Sequence, residues 1–156
     1  MNDTTPENSS RQQIQIVGIG GNFTITLIDK ISNQSGGQPD LHVQCQAATE
    51  LFSAGPTNAW LEWPDVVAFV QELEELNSIL KGKAEICAMS PLDLVLTLAN
   101  LDSRGHVGVS FTIGRRNLTD NGQFESKVTG GFEALPPEIE MLLAWFKGII
   151  AGGVKL

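Results

Sequence analysis

The sequence predicts an α+β fold: a single twisted antiparallel β-sheet with an amphipathic helix at about 64–80 and a C-terminal helix at about 137–151 packed on it. Three observations predict it. Apolar residues alternate at period two through most of the chain. Two stretches change to helical spacing. The strand-like runs between them are joined by turns too short for a parallel crossover. With 156 residues and 42% hydrophobic content the chain can bury one core, so residues 12–156 are expected to form one domain behind a flexible leader at 1–11.

Residues 12–31 predict two strands. Ile14 and Ile16 form one apolar pair, Gly18, Gly20 and Gly21 interrupt, and Phe23, Ile25 and Leu27 follow at period two. Segment 32–40 is turn chemistry throughout. Leu41, Val43 and Cys45 begin a further strand that can continue to Phe52, and Ser53 to Asn58 is expected to be a loop. Pro64 suits a first helical turn and Asp65 complements the helix dipole there. Val66, Phe69, Val70, Leu73, Leu76 and Leu80 then share one helix face, and Lys81-Gly82 supplies the stop.

Ala84 and Ile86 alternate next, then Leu92, Leu94, Leu96 and Leu98. Asp102-Ser103-Arg104-Gly105 is a turn, and Val107, Val109, Phe111 and Ile113 make the clearest strand. Asp120-Asn121-Gly122 holds an Asn-Gly pair suited to a tight hairpin. Phe124, Val128 and Phe132 mark the returning strand. Pro136-Pro137-Glu138 opens the second helix, with Ile139, Leu142, Leu143, Phe146 and Ile150 facing inward. No internal repeat stands out. Phe69, Leu73, Phe111 and Leu143 are expected to meet in the core.

The net charge is −8, from 10 basic and 18 acidic residues. That balance argues against binding a phosphate backbone, so no nucleic-acid partner is expected. No apolar run approaches the roughly 18 residues of a membrane span, and the polar opening lacks a signal peptide, so no membrane partner and a cytoplasmic location are expected. The Asn-x-Ser/Thr sequons at Asn2, Asn8, Asn22, Asn33 and Asn117 then carry no glycan.

Few residues suggest chemistry. Cys45 and Cys87 are too few for a disulfide framework. With His42 and His106 they have the composition of a zinc site, but His42 and Cys45 stand three apart on a strand and point to opposite faces. No metal is expected. Gly18-Ile19-Gly20-Gly21-Asn22 lacks the third glycine of a dinucleotide fingerprint and the Gly-Lys of a phosphate loop, so it is a bulge or bend and no cofactor is expected. Ser78-Ile79-Leu80-Lys81 lacks the companion motifs of a Ser-x-x-Lys enzyme. His106 beside Asp102, Arg104 and Gly105 is expected to order a turn rather than to catalyse, which leaves a small hydrolase using His106 as the remote alternative.

Charge placement is more informative. No Lys or Arg occurs between Lys30 and Lys81, while Asp40, Glu50, Glu62, Asp65, Glu72, Glu74 and Glu75 all fall there. Glu72, Glu74 and Glu75 are expected to project from the helix, and the block can steer a basic protein partner. Arg115 and Arg116 sit apart from it in the expected hairpin loop.

The stretch from Trp60 to Ile149 resembles the WapI-type bacterial immunity proteins and related uncharacterised bacterial proteins. The matching features are Val66-Val67-Ala68-Phe69-Val70-Gln71-Glu72-Leu73, the strand around Leu92–Leu98, Asp102-Ser103-Arg104-Gly105-His106-Val107-Gly108-Val109, and a late Phe-Glu strand before a closing helix. Relatives often carry tryptophans where this chain has Leu80-Lys81-Gly82-Lys83 and Gln123-Phe124-Glu125. The resemblance implies a cytoplasmic, non-catalytic protein that binds and neutralises a polymorphic toxin, many of which are basic. It supplies no site residues. The alternative is a structural or adaptor protein that self-associates as a homo-oligomer or joins an assembly through its C-terminal helix.

Overall fold

The computed structural model describes residues 12–32 and 37–152. The expected leader at 1–11 lies outside the described residues. Among the described residues the chain is α+β, with one antiparallel eight-stranded sheet and two helices of several turns. The elements are β1 (Gln13–Ile19), β2 (Gly21–Ile31), β3 (Asp40–Thr49), β4 (Ser53–Leu61), α1 (Trp63–Ile79), β5 (Lys83–Cys87), β6 (Leu94–Asn100), β7 (Val107–Thr119), β8 (Gly122–Ala134) and α2 (Pro136–Ile150). Four strands and a helix thus occur twice, although no sequence repeat announces it.

Strand order is β4-β3-β2-β1-β8-β7-β6-β5. The two four-strand halves join where Gly18 pairs with Ala134 and Ile19 with Glu133. That junction explains the glycine cluster. A Cβ at Gly18 would lie 2.1 Å from the Glu133 carbonyl oxygen, and Gly20 turns β1 into β2 at φ +87°. Two residues past β5, Met89 donates its N–H to the carbonyl of Trp60 in β4, the opposite edge strand, at 2.8 Å.

The expected core is present: Phe69, Leu73, Phe111 and Leu143 are all buried in one cluster. Phe111 lies 6.4 Å from Phe23 of the other half, and Phe69 of α1 meets Phe146 of α2 edge-on at 5.3 Å. Trp145, three residues after Leu142 and four before Ile149 on α2, is buried too.

Three local expectations are corrected. Ser53–Asn58 is the start of β4, not a loop. Gly55 and Pro56 fall at the register shift between Cys45 and Ala47, on an edge strand, which tolerates proline because one side needs no donor. Arg115 and Arg116 lie in β7, which runs on to Thr119 before Asp120 and Asn121 turn the chain. The left-handed residue closing α1 is Leu80 at φ 53°, with Gly82 following at φ +98°. Among the described residues, no helix is long and apolar enough to cross a membrane.

Candidate functional site

The acidic residues of α1 are placed by how the helix starts. Glu62 occupies the N-cap without a side-chain cap bond, and Pro64 sits in the first turn. The missing cap comes from β3: Asp40 accepts the Trp63 N–H at 2.9 Å. Asp40 is therefore spent on holding the helix rather than offered to a partner.

The helix then divides its acids. Asp65, Glu72 and Glu75 run along one side, at spacings that bring them near one line. Glu74 points the other way and pairs with Lys147 of α2. Glu72 is not a free surface acid: it is half-buried and its carboxylate accepts the Glu85 N–H at 2.8 Å. The expectation that Glu72, Glu74 and Glu75 all project as unused charges is corrected accordingly. Glu50 is also separated. It follows the last residue of β3, roughly 30 Å along the strand from Asp40.

Asp65 and Glu72 thus stand beside the edge strand β5, where Glu85 joins them, and the exposed Glu62 and Glu75 extend this acidic band about one turn to either end along α1. Glu85 falls outside the lysine-free stretch, so only the register of β5 against α1 reveals it. Glu85 also accepts from Thr97 Oγ1 at 2.9 Å and lies 3.5 Å from Lys83 Nζ. Cys87 senses the band: burial pushes its thiol pKa up, and the charges of Glu85 and Asp65 push the same way against Lys83.

A second cluster is built on the turn after β6. Asp102 Oδ1 accepts the N–H groups of Arg104 at 2.8 Å and His106 at 3.3 Å. Asp102 Oδ2 lies 2.6 Å from His106 Nδ1, and Glu133 Oε1 lies 3.9 Å from the same nitrogen. Gly105 passes the tight point at φ +89°. Burial raises the Asp102 pKa, but the bonds from Arg104 N–H and from the His106 ring and N–H outweigh it and hold the carboxyl below its ordinary value. These contacts account for Asp102, Arg104, Gly105 and His106 as one ordered turn.

The four candidate zinc ligands are not brought together. Cys45 is buried, with its thiol pKa pushed up to about 12 by burial, while His42 stacks on Trp60 at 4.5 Å. His106 is held in its own turn. Among the described residues no group of three or more His, Cys, Asp or Glu is placed to hold a metal ion.

No protein-family model matches the chain, and no curated protein matches it. Among solved structures it is similar to WHY1 from Arabidopsis thaliana, at 13% identity and a TM-score of 0.47, over 88% of this chain and 87% of that one. On this finding the expectation of no nucleic-acid partner is withdrawn, and no such exclusion is made for this chain. There is also a physical ground for withdrawing it. Net charge is a sum, whereas a binding face is local, and Arg115, Arg116 and Lys127 stand within one exposed ribbon of this acidic molecule.

Proposed function

We propose that the protein is a non-catalytic, cytoplasmic immunity protein that binds and neutralises a basic polymorphic toxin. The observation that carries the reading is the acidic band along α1 and β5. Glu62, Asp65 and Glu75 are exposed and form no ion pair with any described residue. Both helices turn apolar residues into the core, which leaves the exposed acids of α1 facing outward. Such a row raises the association rate with a cationic partner and loses that advantage as salt screens it. The resemblance of residues Trp60 to Ile149 to WapI-type immunity proteins supports the same partner class.

The test is co-expression with the product of a neighbouring toxin gene. Growth should be restored by this chain and should fail with Asp65→Lys/Glu75→Lys, whose purified form should bind the toxin domain at least tenfold more slowly at low salt. Unprotected growth with the unaltered chain would refute the reading.

A further inference from the structure

The β7–β8 ribbon outgrows the sheet that carries it. β6 stops pairing with β7 at Ile113, and every residue from Arg115 to Lys127 is exposed. On the other side, β1 pairs with β8 only at Glu133 and Ala134. Among the described residues, then, β8 from Gly122 to Gly131 has a strand on one side only. The hairpin closes on the Thr119–Gly122 pair around a two-residue turn. Even-numbered residues of β8 therefore bond to β7, and Gln123, Glu125, Lys127 and Thr129 aim their N–H and C=O groups outward. A long unpaired edge of this kind is a template for another strand.

We propose that this edge pairs with the same edge of a second copy of the chain, antiparallel about a two-fold axis at Ser126. In that register Glu125 faces Lys127, Phe124 faces Val128 and Gln123 faces Thr129, each contact occurring twice. The outward-aimed residues also fall opposite one another, so their backbone groups can bond. Sliding the axis to Glu125 sets that carboxylate against its own copy. A shift by half a step sets Phe124 against Lys127 and turns the side chains to opposite faces. The sequence is complementary to itself in one register.

Side chains on the two ribbon faces agree with it. Glu125 already receives Arg116 at 3.1 Å within its own chain, and Lys127 of the second copy would stand on its other flank. On the opposite face Phe124 is 58% exposed. Opposite Val128 of the second copy it would cover a cleft of about 250 Å³ lined by Ala54, Pro56, Ile113, Arg115, Ser126 and Val128. An apolar ring and an apolar cleft are thus presented by the same surface. The pairing is independent of the acidic band and of the toxin reading.

Light scattering behind a sizing column should give twice the 16.8 kDa chain mass. Lys127→Glu should shift it to the monomer, and adding Glu125→Lys to that variant should recover the dimer. In a Cys87→Ser background, Ser126→Cys should form a disulfide-linked dimer on mild oxidation, because the two residues meet on the axis, while Gln123→Cys should not. A monomer at the highest soluble concentration overturns the proposal. So does a dimer indifferent to Lys127→Glu, a double variant no better than the single one, or cross-linking through Gln123→Cys as readily as through Ser126→Cys.

Discussion

The two halves, β1–β4 with α1 and β5–β8 with α2, repeat one order of elements but end differently. In the first half the last hairpin, β3–β4, is broken by a register shift at Gln46 and by Gly55-Pro56 in the edge strand. In the second half the last hairpin, β7–β8, holds register from Val107–Ala134 to Thr119–Gly122 without interruption. A bulge and a proline blunt an edge, whereas an unbroken ladder preserves it. The helices differ in the same spirit. The start of α1 is held by its own half, through Asp40 of β3, whereas Glu138 in the first turn of α2 reaches the other half and accepts the Val17 N–H at 3.1 Å. The same topology therefore gives one helix start held within its own half and one that reaches across to the other.

The largest effect should come from breaking the contact between the halves. Phe111 of β7 is fully buried against Phe23 of β2, so Phe111→Ala should cost about 3–5 kcal/mol in urea unfolding. Because the halves share one core, the loss should appear as a single shifted transition. A loss under about 1 kcal/mol, or two separate transitions, would mean that each half has its own core.

Next is the anchoring of the helices. Asp40→Ala leaves the first N–H of α1 without its acceptor, and should cost about 1–2 kcal/mol, as loss of a helix cap does. Glu138→Ala removes a bond to an exposed strand N–H instead and should cost less. Equal losses would erase the difference between the two helix starts. A smaller effect belongs to the ion pair of Glu74 with Lys147, which ties α1 to α2 across exposed side chains. Replacing both by alanine should change stability by less than about 1 kcal/mol, and a double-mutant cycle with a coupling well above that would make the pair part of the helix interface.

These contrasts define what the sequence could disclose. Strands with one buried face were legible because burial writes a period of two into Ile14 to Leu27 and Val107 to Ile113. The ribbon past Ile113 has both faces in water, so Arg115-Arg116-Asn117-Leu118-Thr119 carries no period and looks like a loop. Pro56 concealed β4 for the opposite reason, since a breaker residue is tolerated at an edge. At the candidate site the acidic run was visible as composition. Which acids are free was not, because Asp40 and Glu72 are engaged by N–H groups of Trp63 and Glu85 that only the fold brings to them. The Asp102–His106 turn was legible, its members being four residues apart.

The smallest effect concerns that turn, where the second half holds a carboxylate whose pKa is lowered. Hydrogen bonds from Arg104 and His106 hold the folded Asp102 pKa below its ordinary value despite the opposing push of burial. A depressed carboxyl favours the folded state once it ionises. The contribution is therefore complete above the unfolded-state value of about 3.9 and drains away as pH falls through the lower folded value. Asp102→Asn keeps an oxygen for the two N–H groups but removes the charge. Urea midpoints followed downward from pH 7 should converge for the two proteins as the solution becomes more acidic, with the variant slightly the less stable at neutral pH. Parallel curves across the whole acid limb would show that the carboxylate's charge contributes nothing and that Asp102 acts only as a backbone acceptor shaping the path from Leu101 to Val107.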